Sequence, residues 1–197
     1  MQRLRRRPPH PAVRCNIWAN GTSTFGRVSR GVVLRFEAET ERHLRSVWAA
    51  LTDAGVPSLA EHTHGLHFPH LSLVVAAGLR NEPAVHVMRQ LARPSVVQLE
   101  AVGYFPQGVL HLAAVPAREL LDLHRAAFAG LVGADAVEEP WPSTVPDAWS
   151  PHVTLAHGLT RLLPEAVSLA ADVLPLTCAV SGFWIEDGDS GGAWPVQ

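Results

Sequence analysis

The sequence predicts a fold of mixed helices and strands that is built twice. The first observation is a repeated motif: residues 68–73 read FPHLSL and residues 150–155 read SPHVTL. The second is the order strand, helix, motif strand, helix, strand, which apolar periodicity indicates for residues 31–104 and again for residues 109–186. Such a duplication predicts that a pseudo-twofold axis places the two motifs opposite one another.

The first half begins with a strand over residues 31–36, which is rich in β-branched residues. Thr40 has the character of a helix N-cap, and apolar residues recur at helical spacing from Leu44 to Leu51, so a helix to about residue 54 follows. A strand over 69–76 carries the first motif. A shorter helix over 82–92 and a strand over 96–104 complete this half.

The second half repeats the order with a strand over 109–115 and an amphipathic helix over 116–132, which Pro116 opens and Gly133 ends. The second motif occupies a strand over 151–157, followed by a short helix over 164–171 and a strand over 176–186. Residues 134–149 are expected to be the longest irregular segment, suited to a rim or an ordered surface loop. Residues 187–197 are expected to be a frayed C-terminal tail.

Composition is that of a folded soluble protein, with 47% hydrophobic and 17% charged residues in a chain of 197. No apolar run approaches the roughly 18 residues of a membrane span, and the N-terminus does not resemble a signal peptide, so a cytoplasmic location is expected. The two cysteines, Cys15 and Cys178, have no C-x-x-C spacing, so neither a disulfide framework nor a zinc knuckle is indicated.

Charge is distributed unevenly along the chain. Seven of the 16 basic residues precede Gly31 and none of the 18 acidic residues does, so the rest of the chain carries a net charge of −9. Residues 1–30 are therefore interpreted as a basic arm, either a disordered tail or a segment that touches nucleic acid. The acidic body is a poor general binder of polynucleotide backbone and favours small or terminal phosphate substrates.

Each motif contains a histidine and a hydroxyl residue two positions apart, His70 with Ser72 and His152 with Thr154. Residues two apart in a strand project from the same face, so each motif offers one titrating imidazole and one neutral donor to the same place. Two such pairs across a cleft are suited to holding a phosphate between a general base and a general acid. The hydroxyls would stabilise charge on the phosphate without titrating.

The paired P-H-h-[ST]-L units and the duplicated order around them resemble the two-histidine phosphoesterase superfamily, also described by its H-x-T motif. Within it, the chain is most similar to the bacterial 2′-5′ RNA ligase family, over about residues 31–186. The resemblance implies a bilobed α+β fold, in which two mostly antiparallel sheets line a central cleft and helices cover the outside.

The resemblance also implies hydrolysis or ligation at 2′,3′-cyclic phosphate ends of RNA, or at small cyclic nucleotides, without a metal or another cofactor. His70 and His152 would be the catalytic pair, and Ser72 and Thr154 would bind the phosphate oxygens. The chain contains no lysine and no P-loop, which agrees with ligation that does not use ATP. The sequence does not say which histidine is the base. A monomer with no protein partner is expected.

Three alternatives remain open at this stage. Either histidine alone would more often be structural, and the hydroxyls could be satisfied by the backbone. The same fold could be a nucleotide-binding module with little turnover. The histidine-rich run before the first motif (His62, His64, His67, His70) could hold a metal ion, although it lacks cysteines and has few carboxylates nearby.

Other side chains are weaker candidates. The aromatic residues that could stack on a base are Phe68, Tyr104, Phe105 and Trp149. Arg35 and Arg80 could balance phosphate charge. His157 is interpreted as structural, and His111 on a strand and His124 in a helix have no companion motif.

Overall fold

The computed structural model describes residues 29–61 and 66–196. It is an α+β fold, as predicted, with four α-helices and eight strands in the described ranges. The basic arm lies outside the described residues except for Ser29 and Arg30. His62 and His64 of the proposed metal cluster also lie outside them.

The helices and strands follow the predicted order closely. The strands are β1 (Arg30–Phe36), β2 (His70–Leu79), β3 (Val96–Phe105), β4 (Val109–Ala114), β5 (Val137–Pro140), β6 (His152–Ala156), β7 (Leu176–Asp187) and β8 (Ala193–Pro195). The helices are α1 (Ala38–Asp53), α2 (Asn81–Met88), α3 (Arg118–Gly133) and α4 (Pro164–Ala171). None of these helices combines the length and apolar character that crossing a bilayer requires.

Two segments are more ordered than the sequence suggested. The segment 134–149 contains β5, which pairs with β2, and a short 3₁₀ turn at Pro142–Thr144. The expected tail forms β8, which turns back to pair with β7. Backbone pairing onto existing strands orders both segments, and a sequence pattern of only three or four residues does not reveal it.

The described strands form one antiparallel sheet that closes on itself. The hydrogen-bonded order is β1, β2, β6, β4, β3 and β7, and β7 pairs again with β1. The two expected sheets are two arcs of this ring. They are joined by β7, which pairs first with β3 and then with β1, and by a single pair between β2 and β6, Leu71 with Val153.

Each strand of the first predicted half has a counterpart in the second half: β1 corresponds to β4, β2 to β6 and β3 to β7. When every strand is replaced by its counterpart, the same strands remain neighbours around the ring. That symmetry agrees with the idea of a duplicated chain. The boundaries of the two halves stay a prediction.

The hydrophobic core lies between one face of the ring and the helices. Leu71 and Val153 are fully buried there, and α1 contributes Leu44, Trp48 and other apolar residues of the predicted stripe. Thr40 is not the N-cap, because α1 begins at Ala38, and Thr40 Oγ1 instead accepts a hydrogen bond from the backbone N–H of Ala179. The opposite face of the sheet carries the residues that flank Leu71 and Val153, namely His70, Ser72, His152 and Thr154. We call it the cleft face.

Candidate active site

The two motif strands meet at one residue pair. Leu71 of β2 and Val153 of β6 are antiparallel partners, and both side chains point into the core. Their flanking residues therefore point to the cleft face, with His70 placed opposite Thr154 and Ser72 opposite His152 by antiparallel register. The structure thus brings the four predicted site residues together around a single point.

Both hydroxyl-bearing strands are anchored by tryptophans from elsewhere in the chain. Trp48 of α1 donates its indole N–H to the carbonyl of Thr154 at 3.2 Å, and Trp149 donates its own to the carbonyl of Ser72 at 3.0 Å. Each motif is therefore held by a tryptophan from the other half of the chain. Trp149 is in turn stacked on His124, with ring centroids 3.9 Å apart.

The hydroxyl groups of Ser72 and Thr154 make no side-chain hydrogen bond to other described residues. Both side chains are only partly buried. A strand hydroxyl satisfied by backbone was the alternative, and the described part of the chain offers no such bond. Both hydroxyls therefore remain available to an oxygen-rich ligand.

The two histidines have the same local hydrogen bond. His70 Nδ1 lies 2.9 Å from the carbonyl of Phe68, and His152 Nδ1 lies 2.7 Å from the carbonyl of Ser150. A carbonyl only accepts, so each Nδ1 carries a hydrogen and donates it. This fixes the tautomer of the neutral rings and makes Nε2 the nitrogen that takes up or releases a proton.

His70 has a buried carboxylate beside it. Glu186 of β7 is 5% exposed, and its oxygens lie 3.2 Å from His70 Nδ1 and 3.4 Å from His67 Nδ1. The three donor atoms lie within 4.8 Å of one another, close enough for one cation. Because His70 Nδ1 donates its hydrogen to the Phe68 carbonyl, that atom has no lone pair for a metal, and we identify the group as a buried carboxylate ion-paired with two imidazoles.

His152 has a different environment, formed by His111 of β4 and Phe105 of β3. The ring centroid of His111 lies 4.9 Å from that of His152 and 4.1 Å from that of Phe105, and Phe105 also meets His152 edge-on at 5.0 Å. His111 is 4% exposed and lies across Gly103, where a Cβ would come within 2.1 Å of its Nε2. Only a glycine at that position leaves room for the ring.

Burial makes this cluster unfavourable for positive charge. It lowers the pKa of His111 to about 4, with a further contribution from the charge that His152 can carry. Burial also lowers the pKa of His152, and positive charge on His70 lowers it further, while the Ser150 carbonyl acts in the opposite direction. His152 is therefore more easily neutral than an ordinary histidine.

The sequence did not reveal that His111 and Glu186 lie beside the two motif histidines. His111 packs against His152 and lies opposite Thr154 in the register of β4 and β6. Glu186 reaches the cleft face through the pairing of β7 with β1. Neither residue belongs to a motif, so only the register of distant strands could have identified them.

Arg35 lies on the cleft face but is already engaged. It is the register partner of His70, and its guanidinium lies 3.7 Å from the ring centroid of Phe68 and 4.4 Å from that of Trp184. It also forms an ion pair with Glu41 at 2.7 Å. Arg35 therefore adds positive potential near His70 while being held in place by its partners.

The remaining predicted candidates are engaged by other residues. Arg80 binds Asp135 at the far end of β2. Phe68 is 4% exposed, and Tyr104 donates its hydroxyl to the carbonyl of Leu159. With Phe105 on His111 and Trp149 on His124, all four predicted base-stacking aromatic residues already have packing partners.

Comparison with known proteins agrees with this geometry. Residues 36–192 match the family model described as the 2′-5′ RNA ligase superfamily. The fold is similar to that in the crystal structure of E. coli LigT complexed with NADP⁺, with a TM-score of 0.54, 17% sequence identity, and coverage of 85% of this chain and 92% of that chain. At that identity the likeness shows the fold. None of the curated proteins matches the sequence significantly.

Proposed function

We propose, from the premise that this chain belongs to the 2′-5′ RNA ligase superfamily, that it opens the 2′,3′-cyclic phosphate at an RNA end or in a small cyclic nucleotide. The observation that carries the proposal is the Leu71–Val153 pair, which gathers two histidines and two hydroxyls on one face. Such an arrangement offers a base, an acid and two neutral donors to one phosphate.

The proposed reaction is an in-line displacement at phosphorus. The oxygen of a water molecule attacks the cyclic phosphate and the P–O3′ bond breaks, which leaves a 2′-phosphate and a free 3′-hydroxyl. One imidazole Nε2 takes a proton from the attacking water, and the other gives a proton to O3′. Ser72 and Thr154 donate hydrogen bonds to the non-bridging oxygens, where negative charge develops.

The unequal surroundings favour His152 as the base and His70 as the acid. His152 has a lowered pKa and lies against the buried His111 and Phe105, so its neutral form predominates near pH 7. His70 lies against the carboxylate of Glu186, which stabilises an imidazolium. A base that must be neutral and an acid that must be protonated give a bell-shaped dependence of rate on pH.

The same residues would also join RNA ends. If the 5′-hydroxyl of a second strand replaces water, O5′ attacks phosphorus, the P–O3′ bond breaks, and a 2′-5′ phosphodiester forms with no net change in bond type. The net charge of −9 beyond residue 30 opposes close approach of a second polyanion. We therefore propose hydrolysis of small or terminal substrates as the main reaction, in a cytoplasmic monomer.

The test is to incubate an RNA oligonucleotide ending in a 2′,3′-cyclic phosphate with the protein in chelator and to separate the products by chromatography. Conversion to the 2′-phosphate is expected for the wild type and for His86→Ala, because His86 lies on α2 away from the cleft and bonds Gln90 just beyond that helix. It should be abolished in His70→Ala and in His152→Ala. Conversion that persists in either of these two variants would contradict the mechanism.

Binding without turnover is the alternative to be separated. NADP⁺ carries a 2′-phosphate, which is the kind of group that the proposed reaction produces, and it is the ligand named for the E. coli LigT structure. Calorimetric titration with NADP⁺ measures occupancy of the cleft directly. Tight binding together with no conversion of cyclic phosphate between pH 5 and 8 would replace the enzyme proposal with that of a nucleotide-binding module.

A further inference from the structure

Glu186 is unusual in its position on the cleft face. It lies near the end of β7, opposite Gly31 in the register with β1, and Trp184 lies opposite Val33. Because alternate strand residues share a face, Glu186 projects to the same side as Arg35, the register partner of His70. A carboxylate from the last long strand is thereby delivered to a motif more than 100 residues away.

The contacts of this carboxylate are with imidazoles. One oxygen lies 3.2 Å from His70 Nδ1 and the other 3.4 Å from His67 Nδ1, and the two rings meet edge-on with centroids 5.3 Å apart. Among the described residues, these are the ion pairs that Glu186 forms. Burying a carboxylate that is only 5% exposed costs free energy unless a positive partner compensates its charge. A positive charge on one of these imidazoles would supply that compensation.

We propose that Glu186 is a positioning residue of the active site: its buried carboxylate, held between His67 and His70, orients the His70 ring and stabilises its doubly protonated form for proton donation from Nε2. This inference rests on the proposed function, because it assigns a cause to the acid role of His70. His67 would keep the carboxylate aligned from its other side.

Other charged groups around His70 do not replace this carboxylate. From β1, Arg35 approaches, but its charge is paired with Glu41. His152 approaches from β6, and its protonated form repels that of His70. His111 lies behind His152 on β4, and burial keeps His111 neutral. Within the described residues, Glu186 is the acidic group in direct contact with His70.

The comparison with His152 supports this role. Both catalytic histidines donate Nδ1–H to the carbonyl two residues earlier, so that bond cannot make them different. What differs is the third group, a carboxylate at His70 and an uncharged histidine and phenylalanine at His152. Among the described residues, a carboxylate thus contacts the histidine of the first motif and none contacts that of the second.

The test uses Glu186→Gln, which keeps shape and removes charge. Its matched control is Asp187→Asn: Asp187 is the next residue, is also 5% exposed, and pairs instead with Arg30 and the turn at 189–190. For hydrolysis of a 2′,3′-cyclic nucleotide, Glu186→Gln is expected to lower kcat about tenfold or more with little change in KM, and to move the alkaline limb of the pH profile to lower pH. Asp187→Asn should leave both unchanged.

A second readout does not depend on turnover. The ¹⁵N shifts of the His70 ring report the fraction that carries two ring protons at pH 7, and this fraction should fall in Glu186→Gln but not in Asp187→Asn. In the wild type, the same shifts should show a larger doubly protonated fraction for His70 than for His152 at pH 7, and this comparison needs no variant to fold. A His70 ring no more protonated than that of His152, or equal protonation and pH profiles in the two variants, would overturn the proposal.

Failure of the proposed function is distinguishable from failure of this inference. A wild-type protein that binds NADP⁺ but does not turn over cyclic phosphate would contradict the proposed reaction. The NMR comparison would then decide alone whether Glu186 sets the charge of His70.

Discussion

The contact between Gly103 and His111 gives a sharp prediction about how the site is packed. A Cβ at Gly103 would lie 2.1 Å from His111 Nε2, 2.6 Å from Cε1 and 2.8 Å from Cδ2. Since ordinary contact begins near 3.4 Å, Gly103→Ala must push the ring by more than 1 Å. The ring is 4% exposed and lies against Phe105 and His152, so it has no free direction to move.

We expect Gly103→Ala to lower the free energy of unfolding by about 1–3 kcal/mol, the usual cost of overpacking. The displaced ring should also shift His152, and a displacement of about 1 Å at a reacting group can cost about a hundredfold in kcat. Urea unfolding measures the first effect, and hydrolysis of a 2′,3′-cyclic nucleotide measures the second.

Two variants test the reasoning. Gly182→Ala also changes a strand glycine, but nothing lies within 4 Å of its added Cβ, so stability and activity should stay near the wild type. In a Gly103→Ala/His111→Ala double variant the clash is absent, so Gly103→Ala should cost little in that background. The reasoning is refuted if Gly103→Ala behaves like Gly182→Ala, or if its cost is unchanged without the His111 ring.

Three further predictions follow from the same structure. Between pH 6.5 and about 4, His111 is protonated in the unfolded state but not in the folded state. The free energy of unfolding should therefore fall by about 3 kcal/mol as the pH decreases through this window. Urea unfolding at pH 7 and at pH 4.5 measures this fall, which should be smaller in His111→Asn than in the wild type. Trp149→Phe replaces the indole by a smaller aromatic ring and removes the donor to the Ser72 carbonyl, so it should cost at least about 1 kcal/mol in urea unfolding. Cys178 is fully buried and burial raises its pKa to about 12, so in a Cys15→Ser variant mass spectrometry should find it unalkylated at pH 8 until the chain unfolds.

Local patterns in the sequence predicted the elements and the paired motifs. The stripe from Leu44 to Leu51 and the His-x-hydroxyl spacing depend on periods of a few residues, which the chain displays directly. Antiparallel pairing then needed only to bring two similar strands together. The α+β fold and the meeting of the motifs on one face followed from that information.

Residues placed by long-range register could not be predicted. Glu186 reaches His70 across β7, β1 and β2, and His111 reaches His152 across β4 and β6. Thr40 has a good capping side chain, but the backbone N–H of Ala179 takes its hydroxyl instead. In each case a contact between distant strands or elements decides the role, and no local spacing encodes it.

The closure of the ring by β7 bears on how the protein folds. Arg30 and Asp187, which open β1 and end β7, are register partners although 157 positions separate them, and the motif strands share only one pair of their own. Contacts of such sequence separation make folding slow, because the entropy of closing the loop is lost before the pairing is gained. During synthesis, neither the closed ring nor the contact between Glu186 and His70 can form until β7 has left the ribosome. The candidate site is therefore completed only when a strand more than 100 residues after its first motif has been made.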